Sequence, residues 1–311
     1  MSVTASQVKE LRESTGAGMM DAKKALVEAD GDMEKAAELL RQKGIATAEK
    51  KSGRVAAEGQ VVAAISDDKK MGVLVEINCE TDFVAKGDAF LALSHQVADE
   101  ILSSTPESVD VFLMQPSMHL SGKTVKDFIT DKIASIKENI TIRRFSVFQC
   151  DTPGGVHAYI HTGGRVGVLI QIAAENEISA NSDLFLKLLK DLAMQVASAS
   201  PDFISRDDIS SDVIEEETRV EMGKDDLANK PEDIRRKIVD GRVSKILGQR
   251  CLMEQPFIKD PAKSVLDILK EASKILETPL TVKAFSRYAL GEGIEKEESN
   301  FAAEVAAAIG Q

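Results

Sequence analysis

The sequence predicts an α+β protein whose core is duplicated, and two observations support this prediction. A shift of 95 positions aligns residues 59–93 with residues 154–188 without a gap, and 14 of these 35 positions are identical. Each copy begins with two runs rich in β-branched residues, followed by apolar residues at helical spacing. We therefore expect two related units, each a three-stranded antiparallel sheet with two helices on one face.

An N-terminal module is expected at residues 1–45. From Ala22 to Ala29, apolar residues recur at the i, i+3, i+4, i+7 spacing of a helix face, and the segments around it predict three short helices in all. Asp32 is expected to cap the third helix at its start, and Gly44 to end it. A unit this small is marginal alone, so we expect it to dock on the rest of the chain. Residues 46–56 are polar and Lys-rich, which indicates a linker.

Copy one is expected at residues 57–149, and copy two at residues 150–199 together with 249–290. In each copy two strands are expected to form a hairpin, and a later β-branched run is expected to supply the third strand. The strands are predicted at 60–65, 71–79 and 141–148 in copy one, and at 156–160, 166–173 and 281–288 in copy two.

Copy two carries an insertion. The repeat resumes at Lys123, which matches Lys263 at an offset of 140 instead of 95, so copy two holds 45 more residues than copy one. We expect four of them in its first helix, at 188–192, and the others in an inserted helical hairpin at 200–248. The sequence leaves the role of this hairpin open, between homodimerisation with a second copy of the chain, a contact with a different partner, and a solvated surface.

A C-terminal module is expected at residues 291–311. Phe301, Val305 and Ile309 follow one another at steps of four, which predicts a short helix with one apolar side. So short a helix needs a surface to cover, and that surface belongs either to this chain or to a partner.

The composition favours a globular protein with a protein partner. Asp and Glu outnumber Lys and Arg by 51 to 39, and the net charge of −12 repels phosphate backbones and anionic lipid. The absence of Trp and the presence of only two Tyr leave little for stacking bases. We therefore expect neither nucleic acid nor a membrane as a partner. Three widely spaced cysteines and the lack of a secretion signal pattern favour the cytoplasm.

Motifs that carry chemistry in enzymes are not completed in this sequence. Residues 121–124 read Ser-Gly-Lys-Thr, as at the end of a phosphate-binding loop, but the earlier glycine of that loop is Ser117 here. His157 and His161 are four residues apart, yet they fall in a predicted strand and turn, where the two side chains need not share a face. We expect no catalytic residue, no cofactor and no metal site, and a chain that is not an enzyme.

The two copies differ in an informative way just after their second strands. Copy one reads Glu-Thr-Asp-Phe-Val-Ala-Lys at residues 80–86, whereas copy two reads Glu-Asn-Glu-Ile-Ser-Ala-Asn at residues 175–181. Because the scaffold is shared, copy two indicates that the scaffold does not require Asp-Phe-Val there. One interpretation is that Phe83, beside an acid, is an exposed anchor for a partner, since apolar anchors with charged neighbours are typical of interfaces. The other is that Phe83 is a local core residue, as Ile178 is also apolar.

The segment 80–86 and several others closely resemble the elongation factor Ts family, over essentially the whole chain. Together, and in this order, the segments are highly specific. Gly87 departs from the family pattern, in which Asn or Asp is frequent, and this leaves the position after Lys86 unassigned. The other matching segments are Leu-Arg at 11–12, Thr-Gly-Ala-Gly-Met-Met-Asp at 15–21, Asn-Ile-Thr-Ile-Arg-Arg at 139–144, the stretch from His161 to Leu169, and Gly-Glu-Gly-Ile-Glu-Lys at 291–296.

The resemblance implies a ubiquitin-associated-like module at residues 1–45 and a guanine-nucleotide exchange activity. The chain would bind elongation factor Tu, in its GDP-bound and nucleotide-free forms, disturb its Mg²⁺ and phosphate site, and promote GDP release during translation elongation. The residues expected to disturb that site are Thr81, Asp82, Phe83 and Val84. Further contacts with the partner are expected from Arg12, Met19, Met20 and His161.

The residues alone leave two other classes of function open. In the first, the chain is an adaptor whose N-terminal module binds a ubiquitin-like protein, which a pull-down with that module tests. In the second, it is an enzyme with a site between the two copies. Such a site requires ionisable residues matched across the copies, and the alignment contains few beyond the pairs Glu80 with Glu175 and Asp88 with Asp183.

Overall fold

The computed structural model describes residues 3–177, 181–228 and 230–295, and the fold is α+β as expected. Two three-stranded antiparallel sheets form the centre, and a two-stranded ribbon belongs to copy two. Each three-stranded sheet carries helices on one face. The helix expected at residues 301–309 lies outside the described ranges.

The N-terminal module consists of α1 (Ala5–Thr15), α2 (Met19–Glu28) and α3 (Met33–Lys51). Thr4 caps α1 and Asp32 caps α3, because their side-chain oxygens accept backbone N–H groups that have no partner inside the helix. A small core joins the three helices, and its members include Val8, Leu11, Ala22, Ala25 and Leu26. The ubiquitin-associated-like assignment of this module stays a prediction.

Gly44 does not end the third helix, so the expected cap is wrong. Helix α3 continues to Lys51 and covers the first residues of the expected linker. Gly44 is buried, and a Cβ built on it would lie 3.2 Å from the Cβ of Ala134 in copy one. This glycine therefore serves a close helix contact by which the module docks on copy one.

Copy one contributes the whole of the first sheet. The strands pair in the order β1-β2-β3, and α5 and α7 bury their apolar sides on one face of it. Thr124 caps α7 and Asp127 returns the hydrogen bond, so the Gly-Lys-Thr motif is a helix start, as expected. The elements are β1 (Glu58–Ile65), β2 (Met71–Cys79), α4 (Asp82–Ala85), α5 (Asp88–Ser104), α6 (Val109–Met114), α7 (Val125–Ile136) and β3 (Thr141–Gln149).

Copy two repeats this arrangement and adds the insertion. Its sheet has the order β4-β5-β8, and α8 and α11 pack on one face of it. The elements are β4 (Gly154–Ile160), β5 (Val166–Ala174), α8 (Asp183–Ala199), α9 (Ser211–Met222), α10 (Glu232–Arg250), β6 (Pro256–Phe257), β7 (Asp260–Ser264), α11 (Val265–Ile275) and β8 (Leu280–Ala289).

The first helices of the two copies, α5 and α8, have the same length of 17 residues. Both end at a residue in the left-handed conformation, Thr105 in copy one and Ser200 in copy two. The offset of 95 therefore persists to Ser200, and the expectation of four extra residues at 188–192 is wrong. All of the extra residues follow Ser200.

The insertion forms a helical hairpin, as expected. Helices α9 and α10 and the turn between them share a small apolar cluster, with Leu227, Val239 and Val243 buried, that is separate from the sheet cores. Leu252, just after the hairpin, is fully buried, as is Phe112 of α6, its counterpart at an offset of 140. The hairpin is thus inserted between the first helix of copy two and the counterpart of α6.

The two sheets pack against each other through the faces that carry no helices. Val61 and Leu74 of the first sheet contact Val156 and Leu169 of the second. Gly72 permits the close approach, since a Cβ there would lie 2.7 Å from a methyl group of Val156. The duplicated halves are therefore joined along their sheets, and their helices face outwards.

Candidate functional site

The segment from Thr81 to Lys86, here called the Phe83 turn, leads from β2 into α5. Its centre is the single helical turn α4. The Thr81 hydroxyl caps α4 by accepting a hydrogen bond from the Val84 N–H at 3.2 Å. On the inner side Ala85 is buried, and its carbonyl oxygen accepts a hydrogen bond from the Gln60 amide at 3.0 Å. The turn is thus held at both ends.

Phe83 points away from the core. Its side chain is 85% exposed, more than any other large apolar side chain among the described residues. Val84 takes the inward direction and packs partly against the core of copy one. The interpretation of Phe83 as a local core residue is therefore wrong, and its expected exposure is confirmed. Its role as a contact with a partner stays a prediction.

Asp82 places a negative charge beside the exposed ring. Its carboxylate accepts a hydrogen bond from Lys86 at 2.7 Å, one helical turn later. This bond and the Lys86 charge, with a smaller contribution from Arg165, lower the pKa of Asp82 below its ordinary value. The turn therefore presents an ionised acid and an aromatic ring side by side to solvent. An ion pair this exposed is weak, so a partner can replace Lys86 at little cost.

Glu138, in the loop between α7 and β3, holds the start of the Phe83 turn. Its carboxylate accepts three hydrogen bonds, from the backbone N–H groups of Glu80 and Thr81, both at 3.0 Å, and from the Thr81 hydroxyl at 2.6 Å. In return the Glu80 carboxylate accepts the Asn139 N–H at 2.6 Å. Glu138 was not predictable as a neighbour of Thr81, because nothing in the local sequence pattern links residues that are 57 positions apart.

The expected contacts on the N-terminal module lie at its surface. Arg12 is exposed on α1, and the exposed fractions of Met19 and Met20 at the start of α2 are 49% and 61%. Asp21, the next residue of α2, forms an ion pair at 3.2 Å with Lys137, which is the neighbour of Glu138. The start of α2 and the Phe83 turn therefore both contact the loop between α7 and β3.

His161 is exposed, directly after β4, and its Nδ1 lies 3.0 Å from the Tyr159 hydroxyl. The short turn that follows it lies against β1, where Gly164 fits over Gln60 with no room for a Cβ. Gln60 also binds the Ala85 carbonyl, so the His161 turn and the Phe83 turn have a neighbour in common. Arg165, at the end of the His161 turn, also contacts β1, since its guanidinium lies 3.7 Å from the Glu58 carboxylate.

Comparison with known proteins decides the family. A family model described as "Elongation factor TS" matches residues 80–292, more than half of the chain. The chain belongs to the elongation factor Ts family. Proteins named elongation factor Ts from Trichlorobacter lovleyi and a Nostoc species are 47% and 48% identical to it over 310 residues, which cover 99–100% of this chain and 98–99% of theirs. One from Clostridium perfringens is 47% identical over 305 residues, 98% of each chain.

Membership of the elongation factor Ts family gives the chain a role in translation elongation, a step of protein biosynthesis. The matched region begins at Glu80, the residue before the Phe83 turn, and includes β3 of the first sheet, the whole second sheet and the inserted hairpin.

Two further features of this elongation factor Ts family member concern metals and membranes. Within residues 3–177, 181–228 and 230–295, no three His, Cys, Asp or Glu side chains are grouped so that they could hold a metal ion. In the same ranges no helix has the length and apolar character needed to cross a membrane.

Proposed function

We propose that this chain is a guanine-nucleotide exchange factor for elongation factor Tu, and that the Phe83 turn disturbs the Mg²⁺ and phosphate site of that partner. The observation that carries the proposal is the 85% exposure of Phe83 on a turn whose backbone is bound at both ends. An exposed aromatic ring on a held turn is available to a partner, and aromatic anchors are typical interface hot spots.

The rigidity of the Phe83 turn supports this mechanism. Mg²⁺ in GTPases bridges nucleotide phosphates and protein oxygens, so its loss removes the largest local charge that holds GDP. A fixed aromatic wedge inserted near that site displaces the protein groups around the metal, and the adjacent Asp82 charge repels the phosphates. In this account the chain makes and breaks no covalent bond.

Nucleotide release then follows from linkage. If the chain binds nucleotide-free elongation factor Tu more tightly than the GDP form, it must weaken GDP binding by the same factor. Other surfaces of the chain can supply most of the free energy of binding to elongation factor Tu. We propose that Arg12, Met19 and Met20 contact the nucleotide-binding domain, where methionine suits an adaptable apolar surface, and that His161 contributes a further contact. The protein would then act in the cytoplasm, with its partner.

The test is the rate of release of a fluorescent GDP analogue from purified elongation factor Tu. We expect Phe83→Ala to lower the maximal stimulated rate by roughly 30-fold, the effect of a hot spot worth about 2 kcal/mol. Ile275→Ala is the matched control, because Ile275 on α11 is also an exposed large apolar residue, at 69%, and lies in copy two. Equal rates for Phe83→Ala, Ile275→Ala and the parent chain would refute the proposal.

A further inference from the structure

In the sequence the Phe83 turn has a counterpart in copy two. The two segments differ in the side chain that accepts hydrogen bonds at their start. At an offset of 95, Glu80 corresponds to Glu175, and at an offset of 140, Glu138 corresponds to Thr278. In copy two the Glu175 N–H donates to the Thr278 hydroxyl at 3.3 Å. In copy one the same place is occupied by the Glu138 carboxylate, which accepts three hydrogen bonds at 2.6–3.0 Å.

This difference lies in the loop before the third strand of each sheet. In copy two the N–H of Glu175, at the start of the connection to the first helix, has a neutral acceptor, the Thr278 hydroxyl. Lys137 and Glu277, the residues before the two acceptors, both have positive φ, at 68° and 52°. Both loops therefore pass through a left-handed residue at the same place, and a threonine occupies the position of Glu138 in copy two. The carboxylate of Glu138 also accepts two bonds from Thr81.

The extra bonds of Glu138 end on the residue that starts the Phe83 turn. Thr81 donates to Glu138 through both its N–H and its hydroxyl, while the same hydroxyl oxygen caps α4 by accepting from the Val84 N–H. These bonds hold the Thr81 side chain, and through its cap they hold the start of α4. Hydrogen bonds to a charged acceptor are shorter and stronger than neutral ones, which is what a fixed orientation requires.

We propose that Glu138 is a positioning residue, which holds the Phe83 turn in the orientation that acts on the partner. This inference rests on the proposed function. Glu138 lies behind the turn and acts through Thr81, so it need not touch the partner. The ion pair between Lys137 and Asp21 is exposed on both sides, at 63% and 45%, and is too weak to carry the effect.

The test compares Glu138→Thr, which copies the residue of copy two, with Phe83→Ala. We expect Glu138→Thr to lower the maximal rate of stimulated GDP release by roughly 10-fold, in line with the loss of a charge-assisted hydrogen bond. The half-saturating concentration should change little, because Arg12, Met19, Met20 and His161 remain. Glu138→Gln, which keeps the length and one acceptor oxygen, should recover part of the rate. Thr278→Ala in copy two is the matched control and should leave the rate as in the parent.

Combining the substitutions separates positioning from general stability. A residue that acts through the Phe83 turn has nothing to act on once the ring is gone. We therefore expect Glu138→Thr to have no further effect on the rate in a Phe83→Ala background, since effects of residues that act as one unit do not add. An additive effect would overturn the positioning role.

A spectroscopic measurement detects the same orientation without the partner. The chain contains no Trp, so Phe83→Trp provides a single reporter at the tip of the turn. We expect Glu138→Thr to increase the amplitude of its nanosecond motion in time-resolved anisotropy, while thermal unfolding stays close to that of the parent. If Phe83→Ala slows release but Glu138→Thr changes neither rate nor anisotropy, the positioning inference fails alone. If Phe83→Ala has no effect, the proposed function fails.

Discussion

The buried carboxylate of Glu76 joins the two copies, and its removal gives the sharpest prediction about stability. Glu76 lies on β2 with its side chain fully buried. It accepts hydrogen bonds from Arg143 at 2.9 Å and Arg144 at 2.6 Å on β3, and from the Gly291 N–H at 2.8 Å, just after β8 of copy two. Arg144 also reaches the Glu292 carboxylate at 3.3 Å. One buried charge therefore ties the end of copy two to the sheet of copy one.

The magnitude follows from the partners that Glu76→Ala would leave behind. Removing one member of a buried ion pair costs about 3–5 kcal/mol. The side chains of Arg143 and Arg144 are 26% and 32% exposed, so both can turn partly to water, and the lower end of that range applies. We expect Glu76→Ala to lower the free energy of unfolding by about 3 kcal/mol. Copy two has Gln171 at the equivalent position, so Glu76→Gln fits the scaffold and should cost roughly half as much.

The assay is urea unfolding followed by circular dichroism at several pH values. Burial raises the pKa of Glu76, but hydrogen bonds from Gly291, Arg143 and Arg144 outweigh it, and the net pKa lies below the ordinary value of 4.5. A carboxyl whose pKa is lower in the folded chain contributes its full stability above about pH 4.5 and loses it as the pH falls. The difference between the parent and Glu76→Gln should therefore be largest near neutral pH and shrink towards pH 3. Equal midpoints at pH 7, or a difference that persists at pH 3, would refute this reasoning.

Two further predictions concern the sheet contact and the thiols. Gly72→Ala should lower the free energy of unfolding by about 1–3 kcal/mol in the same urea assay, since a Cβ would lie 2.6 Å from a methyl group of Ile65. The control Gly241→Ala, on α10 with open space around it, should raise the free energy of unfolding by up to about 1 kcal/mol. If Gly241→Ala destabilised the chain more than Gly72→Ala, the packing of the sheets would be contradicted. Cys79 is buried, and burial together with the Glu138 charge raises the pKa of its thiol to about 12. Iodoacetamide at pH 8 should therefore modify the half-buried Cys150 before it modifies Cys79. Mass spectrometry of the folded chain measures the order of modification, and faster labelling of Cys79 would contradict its burial.

The duplicated fold was predictable because many of the identities between the copies fall on buried or conformationally special positions. Gly59 and Gly154, for example, have φ values of 137° and 152°, and a Cβ on either would clash with the backbone of the neighbouring strand. Such constraints preserve the same residue in both copies. The exposure of Phe83 was one of two interpretations that the comparison of the copies left open, and the structure decides between them.

Other features were not predictable, for physical reasons. A glycine that ends a helix and a glycine that permits a close helix contact look alike in a sequence, which is why Gly44 was misassigned. The many leucines of α8 fit more than one register, and only the matching ends of α5 and α8 fix the place of the insertion at Ser200. The contacts of Glu138 with Thr81 join residues that are 57 positions apart, and a carboxylate that binds backbone N–H groups has no sequence pattern of its own.

The central claim is that the Phe83 turn loosens GDP by acting on the partner's Mg²⁺ site, and the most direct test is stimulated GDP release measured with and without Mg²⁺. If the turn and the metal act on the same step, chelating Mg²⁺ already removes what the turn would disturb, and their effects do not add. We predict that the difference in rate between the parent chain and Phe83→Ala is large with Mg²⁺ and narrows after chelation. A difference that is equally large in both conditions would contradict the account.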